Sequence, residues 1–97
     1  MIVAMEVKTA EDVKGSKSLR CYTFEAPDQE RLTIVANQTY VYSPGDIVAV
    51  AQVGTILPDG LEITKRKVFG IESSGMALGP IDVPLGQVVP VELISFN

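Results

Sequence analysis

Hydrophobic and polar residues alternate along short stretches of this chain, and a helical period is almost absent. Residues 19–24 place Tyr22 and Phe24 on one face of an extended strand, together with Arg20. Residues 47–53 are apolar except for Gln52 and are rich in β-branched side chains, which predicts a central strand covered on both faces. The same reasoning predicts further strands at residues 2–7, 31–36, 61–63, 68–71, 76–78 and 88–96.

Proline and glycine separate these strands at intervals of about 8–12 residues, which is typical of small barrels and sandwiches. Pro58 and Gly60 flank Asp59 in the clearest of these turns. Five or six strands in so short a chain favour a barrel, because closure removes exposed strand edges. Pro90 cannot donate a hydrogen bond to a neighbouring strand, so we expect the last strand to lie at an edge.

The chain concentrates positive charge in one place, the consecutive residues Lys65, Arg66 and Lys67. Two hydroxyl residues, Ser73 and Ser74, follow shortly afterwards. Cations beside hydroxyl groups suit the sugar-phosphate backbone of a nucleic acid. A run of this kind is also common as a solvated hairpin edge, and the residues alone leave both interpretations open.

Composition limits the classes of function. The 97 residues are 46% hydrophobic, which fits one folded domain over residues 1–97. The chain has no histidine and one cysteine, Cys21, so it lacks the commonest general base and a plausible zinc ligand set. We therefore expect neither an enzyme nor a protein that binds a metal or cofactor, and we expect Cys21 to be a small packing residue.

Charge and hydropathy also bear on location and partners. The net charge of −4 argues against long-range attraction to nucleic acid but allows a local basic patch, because salt screens distant charges. No apolar run approaches the roughly 20 residues that span a bilayer, and the first residues lack a basic leader. The single cysteine fits a reducing compartment, so we expect a cytoplasmic protein without membrane contact.

Residues 30–78 contain the pattern Lys-x-x-Gly-x-x-Ser-x-Gly-Met, formed by Lys67, Gly70, Ser73, Gly75 and Met76. With the preceding strand and turn residues, this half of the chain resembles the tRNA-binding OB domain. That domain occurs in the β subunit of bacterial phenylalanyl-tRNA synthetase, at the C-terminus of methionyl-tRNA synthetase and in free-standing dimeric tRNA-binding proteins.

The resemblance implies an all-β fold, a small five-stranded Greek-key OB barrel, to which a C-terminal strand could be added. It implies binding to the backbone of folded tRNA rather than reading of base sequence. By position, Lys67 matches the family's basic residue and Ser73 its ligand-facing serine. Gly75 and Met76 match the glycine and the core methionine beside them. Many members carry Arg or Lys where this chain has Phe69.

Aromatic side chains offer a second means of holding RNA, because bases stack on them. Tyr40 and Tyr42 alternate with Val41 and so point in one direction, either into a half-buried position or towards a base. Phe69 is expected to pack at the core or its rim, or to stack in place of the absent cation. The predicted RNA-binding residues are Lys65, Arg66, Lys67, Ser73, Ser74, Asn37, Tyr40 and Tyr42.

Two functions follow from these observations. The first is a stand-alone module that binds tRNA or other structured RNA without catalysis. The alternative is a protein-interaction or dimerisation module of the same fold in which RNA binding is weak or lost. The apolar C-terminal residues 88–96 would then pair with the same segment of a second copy or with another chain.

Overall fold

The computed structural model describes residues 1–37 and 41–94, and their regular structure is almost entirely β. The only helical piece among these residues is one turn of 3₁₀ helix at Val91–Leu93. No helix in this described part is both long and apolar enough to cross a bilayer. The strands are β1 (Ile2–Asp12), β2 (Leu19–Glu25), β3 (Leu32–Asn37), β4 (Ile47–Ala51), β5 (Arg66–Val68), β6 (Ile71–Ser73) and β7 (Met76–Pro80).

Five strands form one antiparallel sheet in the order β3-β2-β1-β4-β7, and β5 pairs with β6 as a separate hairpin. The long β1 pairs with β4 through its first half and with β2 through its second half. A register shift between Val7 and Thr9 marks the change of partner, and such a bulge increases strand bending. The sheet curls into a half-barrel with β3 close to β7, which confirms the predicted all-β, OB-like small barrel.

The concave face of the sheet carries the larger core. Val3, Met5 and Val7 of β1 pack there with the aromatic rings of β2, all fully buried. Tyr22 meets Tyr42 edge to face with 5.3 Å between ring centroids. This core confirms the alternation that the sequence predicts for β2.

A second apolar cluster covers the opposite face of β1 and β4. Ala49 and Ala51 of β4 lie in this cluster, whereas Val48 and Val50 belong to the concave core. β4 is therefore covered on both faces, as the sequence predicts, although β1 rather than β4 is the central strand. The cover comes from the later chain, chiefly Leu57, Ile63 and Val89.

The C-terminal region up to residue 94 differs from the predicted edge strand at residues 88–96, of which the last two lie outside the described residues. Residues 86–89 lie along the first half of β1: Ala4 N–H donates to the Gln87 carbonyl oxygen and Val89 N–H to that of Ile2. This edge of β1 is available because β2 pairs with β1 only from Glu6 onwards. After Pro90 the chain turns into the 3₁₀ helix, so a long strand does not form.

Three smaller predictions are also wrong. The basic run does not separate two strands, because Arg66 and Lys67 are themselves part of β5. Residues 61–63 form only an isolated bridge between Glu62 and Ile56. Met76, expected in the core, is 39% exposed because it lies at the start of the edge strand β7.

Cys21 is half-buried on β2. Burial raises the pKa of its thiol above the ordinary value, and the charge of Glu11, its register partner on β1, adds to the rise. A thiol that stays protonated near neutral pH is a poor nucleophile. The structure thus agrees with a packing role for Cys21.

Candidate nucleic-acid interface

The basic run lies on the β5–β6 hairpin, whose register is short and regular. Arg66 pairs with Ser73, and Lys67 pairs with Glu72. Phe69 and Gly70 connect the two strands, with φ of +49° and +79°. Positive φ at both central residues is the mark of the two-residue type I′ turn, whose twist matches that of the flanking strands.

Strand alternation divides the basic run between the two faces of this hairpin. Directly opposed residues share a face, so Arg66 lies with Ser73, whereas Lys67 lies with Glu72. Lys65 is also on the second face, where its Nζ is 3.7 Å from a carboxylate oxygen of Glu72. Of the three consecutive cations, only Arg66 therefore lies on the same face as Ser73, and Lys65 and Lys67 lie on the other.

A groove of about 320 Å³ lies on the first face of the hairpin. Arg66 supplies its positive charge, and Asn37, at the exposed end of β3, also lines it. Its remaining wall is mostly apolar, with Val35, Val68 and Met76 among its residues, but it also includes Ser73 and one acid, Glu62. A guanidinium and an amide above an apolar wall can receive a phosphate and the sugar beside it.

A second groove, of about 510 Å³, lies on the other face and has mixed charge. Lys65 and Arg31 line it together with Glu30 and Glu72. Arg31 Nε is 3.5 Å from a Glu25 carboxylate oxygen, so both cations have acidic neighbours. This groove offers a polyanion little net attraction.

Ser73 closes the barrel and does not face solvent. It is 5% exposed, and its Oγ accepts a hydrogen bond of 3.0 Å from the Val35 N–H of β3. The next residue, Ser74, donates its own N–H to the Thr33 carbonyl oxygen at 2.8 Å. These two bonds join β6 to the edge strand β3. The Ser73 hydroxyl is therefore used to join two strands, although Ser73 also lines the groove beside Arg66. Its contact with a phosphate stays a prediction.

Ser73→Ala should lower the free energy of unfolding by about 1–3 kcal/mol, because the Val35 N–H would lose its acceptor in a part-buried position. Urea denaturation followed by circular dichroism measures the change. Ser74→Ala is the matched control, since Ser74 is only half-buried and contributes its backbone to β3. Equal losses in the two variants would show that the Ser73 hydroxyl is not the group that joins the strands.

Tyr42 also belongs to the interior. It is 4% exposed, and its N–H donates to the Tyr22 hydroxyl at 3.3 Å. Its ring packs in the concave core, so the structure agrees with packing and buries the ring more fully than the half-buried position expected. Its contact with a base stays a prediction. Tyr40 lies outside the described residues, and its predicted role stays a prediction.

Ion pairing separates the eight lysine and arginine residues into two groups. Lys8, Arg20, Arg31 and Lys65 each lie within 4.0 Å of a carboxylate oxygen. In the described part of the chain, the other four have no acidic partner: Lys14, Lys17, Arg66 and Lys67. These four occupy only two elements, the β1–β2 loop and the β5–β6 hairpin.

The β1–β2 loop and the hairpin tip are in contact. A methyl group placed on Gly15 would lie 3.8 Å from Cδ1 of Phe69. The loop has a defined shape, because Ser16 N–H donates to the Val13 carbonyl oxygen and Gly15 has φ of +91°. Lys14 and Lys17 thus belong to the same end of the molecule as Lys67. Sequence reasoning allows Lys14 and Lys17 as additional phosphate-binding cations, because they lie in a Lys-Gly-Ser-Lys loop between strands, but it does not place that loop beside the hairpin.

Comparison with known proteins shows which sequences this chain is similar to. No protein-family model matches the chain. It is 39% identical over 59 residues to the phenylalanine–tRNA ligase beta subunit of Syntrophotalea carbinolica, a match that covers 61% of this chain and 7% of that protein. The same subunit of Francisella tularensis is 32% identical over 86 residues, which cover 89% of this chain and 11% of the relative.

The subunit of Bacteroides thetaiotaomicron is 34% identical over 102 aligned positions, which cover 96% of this chain and 12% of the relative. The chain therefore spans 7–12% of the length of these curated relatives. These relatives are named as the synthetase subunit that contains the tRNA-binding OB domain, the domain that residues 30–78 resemble. The chain is thus homologous to a small part of a tRNA ligase subunit.

Proposed function

We propose that this protein binds structured RNA, with tRNA as the principal ligand, and that it does so without catalysis of its own. The observation that carries the proposal is the location of the lysine and arginine side chains that form no ion pair. Within residues 1–37 and 41–94, four lysine and arginine side chains have no acidic partner, and they lie on two elements that touch each other. The relatives' name, phenylalanine–tRNA ligase beta subunit, supports tRNA as the ligand.

The net charge of −4 is compatible with this function because the attraction is local. At physiological salt the screening length is about 8 Å, so most acids of the chain act weakly on a phosphate at the loop and hairpin. Glu72, the acid on the hairpin itself, has Lys65 as its partner. The unpaired lysines therefore present positive charge to a ligand that approaches this end of the barrel.

Recognition of shape and backbone fits the chemistry of the site better than reading of base sequence. Arg66 can form paired hydrogen bonds with one phosphate, whereas lysines act as point charges along the strand. Arg66 shares its groove with Asn37, whose position at the end of β3 is compatible with a contact to ribose. We propose Lys14, Lys17, Arg66, Lys67 and Asn37 as the contact residues.

Salt dependence tests the proposal. If the four cations each neutralise one phosphate, log K should fall with log salt with a slope of about −3.6, which weakens binding roughly 100-fold between about 50 and 200 mM salt. Lys67→Gln should reduce the slope by about 0.9 and weaken binding to all RNAs alike. Fluorescence anisotropy with a labelled phenylalanine tRNA transcript measures both quantities.

Lys8→Gln is the matched control because it removes the same charge from a lysine that is paired with Glu6 at 3.5 Å. We expect this control to keep the wild-type slope. No binding of the transcript at about 20 mM salt, where electrostatic attraction is strongest, would refute the proposed function. Equal effects of Lys8→Gln and Lys67→Gln would show that net charge, and not the local patch, governs binding.

A further inference from the structure

Phe69 is the residue whose position the fold does not explain. Its ring is 61% exposed at the tip of the β5–β6 hairpin. Its φ of +49° is in the left-handed region, where a bulky side chain is uncommon and unfavourable. The first central position of a type I′ turn favours Asn, Asp or Gly. The backbone conformation at Phe69 is therefore unfavourable, and burial of the ring does little to offset it.

The position of the ring is defined by the neighbouring loop. Atoms Cδ1 and Cε1 would lie 3.8 and 3.9 Å from a methyl group on Gly15, so one edge of the ring borders the backbone of the β1–β2 loop. A glycine at this point leaves space beside the ring that a side chain would occupy. The ring therefore lies at the surface with one edge beside the β1–β2 loop.

The charges around Phe69 indicate the kind of ligand. Lys67 precedes it by two residues on β5, and Lys14 adjoins Gly15 in the contacting loop. Neither lysine has an acidic partner among the described residues. An aromatic ring whose own strand and neighbouring loop each carry a lysine combines a surface for a base with sites for phosphates.

We propose that Phe69 stacks on an unpaired base of the bound RNA while Lys14 and Lys67 hold the adjacent phosphates. This inference rests on the proposed function and adds a preference to it: the ligand must offer a base that is free to leave its stack, as in a loop or at a single-stranded end. Stacking carries no sequence preference, because every base has a π face. A fully paired duplex would use the lysines but not the ring.

Phe69→Asn tests the stacking without loss of the fold, because Asn-Gly is the preferred pair for a type I′ turn. Thermal unfolding should show an equal or higher Tm for this variant. We expect Phe69→Asn to weaken binding of the phenylalanine tRNA transcript roughly 10-fold and to leave the salt slope unchanged. Affinity for a blunt 16-base-pair RNA duplex should not change. Phe69→Tyr, which keeps an aromatic face, should retain most of the tRNA affinity.

The other outcomes separate this inference from the proposed function. If Phe69→Asn binds tRNA as well as the wild type while Lys67→Gln still flattens the slope, the stacking is refuted and the proposed function stands. Equal losses for tRNA and duplex would also refute it, since a duplex has no free base. A concentration-dependent increase in sedimentation coefficient that Phe69→Asn abolishes would assign the ring to contact between copies of the chain and overturn the inference. If the wild type binds neither RNA, the proposed function itself is refuted.

Discussion

Gly75→Ala is expected to destabilise the fold by about 3 kcal/mol or more, because an added methyl group meets both a fixed backbone and unfavourable torsion. The new Cβ would lie 2.8 Å from the Ala51 carbonyl oxygen and 3.2 Å from Cδ1 of Ile34. Ala51 is held in β4 and Ile34 is 1% exposed in the core, so neither can retreat easily. The φ of Gly75, +139°, is also rarely adopted by alanine.

Gly54→Ala is the matched control for this prediction. Gly54 has a positive φ of +95°, but no atom lies within 4 Å of an added methyl group. Gly54→Ala should lower the free energy of unfolding only by the contribution of the unfavourable φ, about 1 kcal/mol. Chemical denaturation of both variants gives the difference. If Gly75→Ala were no less stable than Gly54→Ala, the close approach of β4, β3 and the β6–β7 connection would not be the constraint that requires glycine.

Removal of the residues after Gly86 is expected to prevent stable folding, because the deleted segment covers the second face of the sheet. Val89 is 3% exposed, and its burial contributes about 1.5–3 kcal/mol. Two hydrogen bonds to Ile2 and Ala4 of β1 would also be lost. A domain of this size has a total stability of about 5–15 kcal/mol, so the combined loss is a large part of it.

A pair of adjacent valines tests the same point without deletion. Val89→Ala should lower stability by about 1–2 kcal/mol, whereas Val88→Ala, at a residue that is 50% exposed, should be nearly neutral. Urea titration of both variants gives the comparison. A truncated chain that stays folded would contradict this account. If truncation also converted a dimer into a folded monomer, the alternative of a dimerisation module would gain support over an internal role for residues 86–89.

The strands of the main sheet were predictable because their local signals agree. Alternation around Tyr22 and Phe24 reports which face of β2 is buried, and the β-branched run at Ile47–Ala51 reports a strand with two covered faces. Turn chemistry at Pro58 and Gly60 reports a chain reversal. These features depend on residues that are close in sequence, so a reading along the chain captures them.

The candidate site was less predictable, because its meaning depends on pairing between distant residues. Ser73 belongs to a pattern that resembles a ligand-binding motif, yet its hydroxyl oxygen accepts a hydrogen bond from the N–H of Val35, 38 residues away. Lys65 and Lys67 are adjacent to Arg66 in sequence but lie on the opposite face of the hairpin. Only the assembled sheet shows which cations remain without an acidic partner.

The sequence by itself determined the all-β class, the succession of short strands and the location of positive charge, since each follows from period, turn residues and composition. The tertiary structure alone decided that the C-terminal segment completes the sheet beside β1, that Ser73 closes the barrel and that Phe69 is exposed beside Gly15. The physical reason is that burial and hydrogen-bond pairing between remote segments are properties of the packed chain, and no local pattern encodes which partner a given group will find.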